Sequence, residues 1–409
     1  MSTRAIEQPI PLPTTTISAF DPPADLEELR IHRPLCRLRY PDGHIGWLIT
    51  SHRLAKQVYN DPLFTMQPIH PMPVAGDQAM PQVRERLEPE GIFACNPLDL
   101  DPPDHTRLRR LLTKQFTTTR AADHRAAIER LVAERLDWMA QCEPPVDLLS
   151  AYALPVVTAS HAVVFDIPRE VSQAIVRATV AFDPSTDVDD AVACLHQVKA
   201  CVRDVIDQKR SHPGDDVISA MILSGELSSD EIVSATVILA ISGIDSTANM
   251  IAAGAFALLA HPEQLQRLHA EPALVNDAVD ELLRYLSLFK TSFTRTAKSD
   301  TEIDGEPIRA GERVTVSLTA VNRDPAKFED PDALAVERSD ARGHMAFGHG
   351  IHICLGQHVA RLELRVALAG LIQRFPTLRL AVPADQVPMA DDDHIHHAVK
   401  EVMVTWARD

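Results

Sequence analysis

The run Phe347-Gly348-His349-Gly350-Ile351-His352-Ile353-Cys354-Leu355-Gly356 constrains this chain more than any other feature. It holds one cysteine in a glycine-rich loop, directly ahead of a strongly patterned helix. The glycines lack Cβ and tolerate positive φ, so the backbone here can approach something bulky and flat. Cysteine ligates as its thiolate, and a helix N-terminus behind it favours that anion. Phe347 is placed to cover the sulfur on the side away from a ligand. Together these demands describe a sulfur aimed at a metal macrocycle, where a thiolate favours O–O cleavage. The competing reading is an inert structural cysteine in a turn. A dinucleotide-binding loop is excluded, because G-x-G-x-x-G needs glycine at 353 and the chain has Ile353 there.

The patterns around this loop are mostly helical. Proline and glycine punctuate short segments up to residue 103, and Pro102-Pro103-Asp104 then opens a helix with Asp104 as its N-cap. Helical periodicity continues to Leu286. From Phe293 to Ser317 the pattern turns to strands, with an Asp304-Gly305 hairpin turn and alternation over 312–316. A proline- and aspartate-rich irregular stretch runs from Asn322 to Arg342. After Cys354, apolar residues at Leu355, Val359, Leu362, Val366 and Ala369 mark the core face of a helix that ends before Pro376. The C-terminal tail reads as short strands, and there is no internal repeat.

Composition excludes several classes. The net charge of −17, from 40 basic and 57 acidic residues, argues against a nucleic-acid partner. The N-terminus lacks the basic and apolar regions of a secretory signal. The most apolar segment, Ile232 to Ile244, is short and interrupted by Ser234, Thr236 and Ser242, so no membrane span is expected. Cys36, Cys95, Cys142, Cys194, Cys201 and Cys354 are scattered without a C-x-x-C pair, which fits reduced thiols and a cytoplasmic setting. The acidic and histidine-rich tract 391–397 is read as an exposed turn rather than a metal site.

A second constellation lies at 238–247. A helix that is apolar nearly all round should be buried, yet this one carries Ser242, Gly243, Asp245, Ser246 and Thr247. Buried polar groups are costly unless they have partners or work. Glycine and hydroxyl residues also weaken the helix, so a local bulge able to hold O2 and water is expected. The bland alternative is hydroxyls bonded back to the i−4 carbonyls and a paired aspartate.

The cysteine run resembles the haem-binding loop of the cytochrome P-450 family, F-G-x-G-x-H-x-C-x-G, at every fixed position. The central segment resembles that family's [AG]-G-x-[DE]-T-[TS] motif: Gly243, Asp245 and Thr247 match, while Ser242 and Ser246 depart. Glu281 and Arg284 resemble its E-x-x-R motif, with Arg338 as third member of a buried charge network. Smaller echoes are Asp101-Pro102-Pro103-Asp104-His105 and Asn322-Arg323-Asp324-Pro325, so the motifs span Asp101 to the C-terminus.

The resemblance implies a mainly α fold with a small β-rich subdomain. It implies one domain over 1–409, with haem between the central long helix and the cysteine-loop helix. The implied cofactor is haem b (iron protoporphyrin IX) with Cys354 as axial thiolate and metal ligand, flanked by Phe347 and Gly356. His105, Arg109, Arg295 and His352 match positions that bind the haem propionates, a role that suits cationic hydrogen-bond donors. Asp245, Ser246 and Thr247 occupy the positions of the catalytic turn, with Ser246 in place of the family's threonine; in the family the acid relays protons and the alcohol bonds dioxygen. Serine keeps the hydroxyl but loses the methyl that restricts χ1. Substrate contacts are implied at Ile238, Ile241, Ser242, Phe289, Thr291 and Phe293, under a covering loop from Met66 to Cys95.

The implied activity is a monooxygenase oxidising a C–H bond of a medium-sized organic molecule of secondary metabolism with O2. Electrons would come from a ferredoxin and its reductase, docked on a basic face of Arg107, Arg110, Lys114, Arg361 and Arg365. Oxidative coupling or desaturation, peroxide-driven turnover and a non-catalytic haem-thiolate sensor are the alternatives.

Overall fold

The computed structural model describes residues 8–67, 70, 79–179, 186–392 and 394–407. Its strands are β1 (Leu35–Arg39), β2 (Ile45–Ile49), β3 (Phe64–Thr65), β4 (Val146–Asp147), β5 (Arg295–Ala297), β6 (Thr301–Ile303), β7 (Glu306–Ile308), β8 (Arg313–Val316), β9 (Arg379–Leu380) and β10 (Met403–Thr405). Helices dominate the rest. The contacts divide the chain into two units, each assembled from separated stretches of sequence.

The first unit joins the N-terminal segment to Asp280–Cys354 and Ala390–His397. Its frame is a five-stranded sheet in the order β1-β2-β8-β5-β3. Within this sheet β2 and β8 pair in parallel, with Trp47 opposite Val314, and the other neighbouring strands are antiparallel. Val314, Thr315 and Val316 are all buried, so β8 does not alternate as expected. It is an interior strand, and a strand with neighbours on both sides and cover on both faces has no polar face. Leu54, Val58, Ile303, Ile308, Val314 and Val321 form much of one apolar cluster on this sheet. The expected hairpin is present: Asp304 (φ 52°) and Gly305 (φ 82°) turn β6 into β7, and two positive φ values define the turn that matches strand twist.

The second unit comprises Ala79–Val279, Leu355–Met389 and Ala398–Asp409 and holds most helices. Its axis is the central helix, Ser229–Ala260. Ser228 opens this helix with a capping box, its hydroxyl accepting from Glu231 N–H while Glu231 accepts from Ser228 N–H. The helix is buried on nearly all sides, packed by Leu154–Val164, Arg169–Thr179, Val188–Ser211 and Gln357–Arg374. β4, β10 and β9 form a small antiparallel sheet.

Three expectations need correction. The helix containing His105 spans Asp104–Thr113, with Pro103 at the N-cap, so Asp104 is its first helical residue. The central helix is long and apolar enough to cross a membrane, contrary to the sequence reading. However, 72% of its most apolar window is buried inside the protein, so its hydropathy is that of a core helix. The stretch Met66 to Cys95 is not all loop, since Ala79–Leu87 is helical; 68–69 and 71–78 lie outside the described residues.

Candidate functional site

In the first unit the cysteine loop is shaped by its glycines. Gly348 (φ 72°) and Gly350 (φ 74°) both occupy the left-handed region, where a side chain is strained. A Cβ on Gly350 would also collide with the Tyr59 carbonyl, so this position needs glycine twice over. Gly350–His352 makes one short 3-10 turn, and Cys354 N–H donates to the Phe347 carbonyl (2.9 Å), closing the loop. Cys354 is exposed, not a buried structural cysteine. His344, which the sequence reading missed, lies 3.4 Å from buried Asp280 through Nε2, and its ring sits 5.8 Å from Phe347. The signal for it was spatial: Asp280 and His344 are far apart in sequence.

The charge network stands behind this loop as expected. Arg284 and Glu281 are fully buried and paired twice, at 2.7 and 2.8 Å. Arg338 Nε donates to the same carboxylate (3.0 Å), as does Ala335 N–H (2.9 Å). Arg284 also donates to the carbonyls of Asn322 (3.0 Å) and Pro331 (2.6 Å). Asn322 Oδ1 accepts from Met345 N–H (2.7 Å), which ties the network to the strand of chain entering the loop. Every lone pair and N–H so used offsets the desolvation of a buried ion pair.

Arg295 and His352 also belong to this unit. Arg295 is buried at the start of β5, over the Tyr59 ring at 5.4 Å. Phe289 bridges to His396, with the two rings edge-on at 4.3 Å. Thr291 is buried and bridged to Ser317, and Phe293 packs on the apolar cluster of Leu12, Leu29 and Leu38.

In the second unit the central helix carries the other candidates. The expected bulge is absent: 229–260 is continuous α-helix. The hydroxyls are satisfied along the helix instead. Ser242 Oγ donates to the Ile238 carbonyl (2.6 Å) and Ser246 Oγ to the Ser242 carbonyl (2.9 Å). Asn249, unanticipated from sequence, donates through Nδ2 to Asp245 Oδ1 (3.0 Å) and to the Asp245 carbonyl (3.2 Å). Back-bonding costs little in a buried helix and keeps each hydroxyl one rotamer change from a new partner. Ser242 is exposed, Asp245 and Ser246 are half-buried, and Thr247, Ile238 and Ile241 are buried.

His105 and Arg109 lie one turn apart on the helix Asp104–Thr113, His105 buried and Arg109 half-buried. The expected basic face is smaller than the sequence implied. Arg107 pairs with Glu231 (2.6 Å) and Arg110 with Glu226, so their charges are already compensated. Arg361 bonds neutral Gln357 (3.0 Å) and Arg365 the Asn276 carbonyl (3.4 Å).

The cytochrome P450 family model matches residues 175–404, more than half of the chain. The chain belongs to the cytochrome P450 family. Cytochrome P450 105C1 of a Streptomyces species is 41% identical over 97% of this chain and 99% of the relative. Pentalenic acid synthase of Streptomyces avermitilis is 38% identical, covering 98% of both. Among solved structures, CYP105P1 in complex with filipin I superposes with a TM-score of 0.88 at 31% identity, covering 98% of this chain and 100% of that one. Cytochrome P450 MoxA from Nonomuraea recticatena also gives 0.88, at 35% identity, covering 98% and 99%. The chain is therefore a haem-thiolate oxidoreductase with the mainly helical P450 fold.

The residues present fit that cofactor. Gly356 has an ordinary φ of −77°, and a Cβ there would meet no described atom within 4 Å. Neither backbone strain nor protein crowding accounts for this glycine, whereas close approach of a flat group does. Cys354 supplies an exposed sulfur three residues before the helix Gln357–Arg374, whose N-terminus favours an anion. Among the described residues there is no cluster of three or more histidine, cysteine or carboxylate side chains placed to hold a metal ion.

Proposed function

We propose that this P450 is a monooxygenase that oxidises a C–H bond of a medium-sized organic molecule of secondary metabolism, fed by a ferredoxin and its reductase. The observation that carries the reading is the cysteine loop: two left-handed glycines, a closed backbone and one exposed sulfur, in a chain whose relatives are P450s along their whole length. Cys354 would supply the thiolate that holds the haem iron, with Phe347 and Gly356 beside it in the loop. Arg295, His352, His105 and Arg109 would donate to the two haem carboxylates, which need charged or hydrogen-bonding partners when buried. Haem, when bound, supplies reductive O2 activation, which the thiolate promotes.

The protein's own task is proton movement and exclusion of water. Asp245 picks up protons, held by Asn249 until needed. Ser246, whose hydroxyl donates to the Ser242 carbonyl, would release that bond to hand a proton on from Asp245. Ile238, Ile241, Ser242, Phe289, Thr291 and Phe293 shape the substrate's surroundings. Asp245→Asn should lower product formed per NADPH by about 10- to 100-fold while leaving the absorption spectrum unchanged, as for loss of a general acid. Full retention of that ratio would remove the relay.

The relatives' names do not narrow the substrate. Beside pentalenic acid synthase stand a vitamin D3 dihydroxylase of Streptomyces griseolus (37% identical) and a nocardicin C N-oxygenase of Nocardia uniformis (36%), named for chemically unlike molecules. Vitamin D3 and filipin I are therefore used as opening probes in a screen for Soret shifts, followed by turnover under heavy-isotope O2 with a ferredoxin system. The expected product gains one labelled oxygen. Loss of two hydrogens without label would replace insertion by coupling or desaturation. Turnover with hydrogen peroxide alone, or none with any ligand and partner, would overturn the reading.

Arg361 and Arg365 lie one turn apart on the helix Gln357–Arg374 and are, with Lys114, the part of the proposed basic face that remains. Changing Arg361 and Arg365 together to Glu should slow reduction by ferredoxin about tenfold at low salt and leave dithionite reduction unaltered. An unaltered ferredoxin rate would remove this face as the electron entry.

A further inference from the structure

Behind the central helix lie three buried polar side chains that the proton relay does not use. His161 is 6% exposed, Glu363 1% and Ser160 0%. They sit on the helices Leu154–Val164 and Gln357–Arg374, both packed on the central helix within the second unit. His161 Nδ1 lies 3.1 Å from the Val157 carbonyl, which fixes Nδ1 as the protonated nitrogen and leaves Nε2 bare. Nδ1 also lies 4.0 Å from Glu363 Oε1. Burial pushes Glu363 up to about 8 and His161 down to about 4, so at neutral pH both are uncharged.

The other end of the ring meets the central helix. A Cβ on Gly243 would stand 2.5 Å from His161 Nε2 and 3.0 Å from Cε1, too close for any real contact. The ring cannot retreat freely, because Phe165 stacks on it at 5.7 Å and 18°. Glycine in a helix interior is destabilising relative to alanine. Here His161 occupies the volume the glycine side chain lacks. That contact falls inside the turn bridged by the Ser246–Ser242 bond, two residues before Asp245.

We infer that His161 is a positioning residue: its ring, wedged between Phe165 and Gly243, sets where the proton-delivering turn 242–246 sits. The inference rests on the relay proposed above. Its neutral polar neighbours Ser160 and Glu363 let an imidazole be held there without an ionic penalty.

The test uses haem-loaded full-length protein carrying His161→Ala, His161→Phe, Gly243→Ala and the double changes Gly243→Ala/His161→Ala and Gly243→Ala/His161→Phe. Three quantities are read: hydrogen exchange of peptides covering 238–249, the C–O stretching frequency of the dithionite-reduced carbon monoxide form, and the melting temperature. His161→Ala should speed exchange across the turn about tenfold. It should also shift the C–O stretch while keeping the thiolate-type Soret band. His161→Phe, which preserves ring volume, should restore both. Gly243→Ala should lower the melting temperature in wild-type and His161→Phe protein and be tolerated beside His161→Ala.

Unchanged exchange and stretch in His161→Ala would overturn the inference. So would a Gly243→Ala defect that persists in full when His161 is alanine. The relay reading fails separately, through full product per NADPH in Asp245→Asn, without altering the exchange result.

Discussion

Glu281→Ala should cost about 3–5 kcal/mol of stability, the loss expected when one partner of a buried ion pair is removed. Glu281 and Arg284 are both fully buried, and Glu281 alone accepts from Arg284, Arg338 and Ala335. Its removal strands the Arg284 guanidinium among carbonyls that can bond but not neutralise it. Because the Asn322 and Met345 contacts run from this network into the chain leading to the cysteine loop, haem retention should fall with stability. Replacing both Glu281 and Arg284 by methionine should cost less than Glu281→Ala, since only the Arg338 guanidinium, rather than two guanidiniums, is then left without its carboxylate. Urea unfolding read by tryptophan fluorescence measures both. A loss below about 1 kcal/mol for Glu281→Ala would place this pair with solvent-screened surface bridges instead.

The second large effect is a pH dependence assigned to one carboxyl. Burial raises Glu363 from its ordinary 4.5 to about 8 in the folded protein. Between those values the unfolded chain has released the proton while the folded chain keeps it, so stability falls as pH rises through that window. His161 works the other way. Its folded value is about 4 against an ordinary 6.5, so the unfolded chain binds more protons between them and stability rises with pH. The two slopes oppose from about pH 4.5 to 6.5. From about 6.5 to 8 Glu363 acts alone at ~1.4 kcal/mol per pH unit, or about 2 kcal/mol over the window. Glu363→Gln should therefore gain stability over wild type by about 2 kcal/mol between pH 6.5 and 8. Parallel curves for the two proteins across that range would show that Glu363 ionises normally or that its charge is compensated.

The parts of this protein that could be read from sequence share a physical character. The Gly348–Gly350 loop, the Asp304-Gly305 hairpin and the Glu281–Arg284 pair are local: each depends on residues a few positions apart. Their φ values and ion pairs follow the expected pattern. The E-x-x-R network needed the resemblance to add Arg338, because 57 residues separate it from Glu281. What sequence did not show was long-range or depended on competition between partners. His161 looks like one histidine in an apolar helix until Gly243 is placed against its ring. Gly243 itself read as a helix weakener and suggested a bulge. The surrounding helices instead hold the turn in regular α geometry, with hydroxyls bonded to i−4 carbonyls. Arg107 and Arg110 counted as a free basic face because Glu226 and Glu231 lie more than a hundred residues away. The central helix was misjudged by its hydroxyls. They divide the apolar run without making the helix polar, and only packing distinguishes it from a membrane span.

The assignment of Cys354 underlies every functional statement made about this chain, and one spectrum addresses it. Dithionite-reduced protein under carbon monoxide should show the strongly red-shifted Soret band of thiolate-ligated haem, and Cys354→Ala should abolish it. A band at the shorter wavelength of histidine-ligated haem in the wild type, or a red-shifted band that survives Cys354→Ala, would contradict the account.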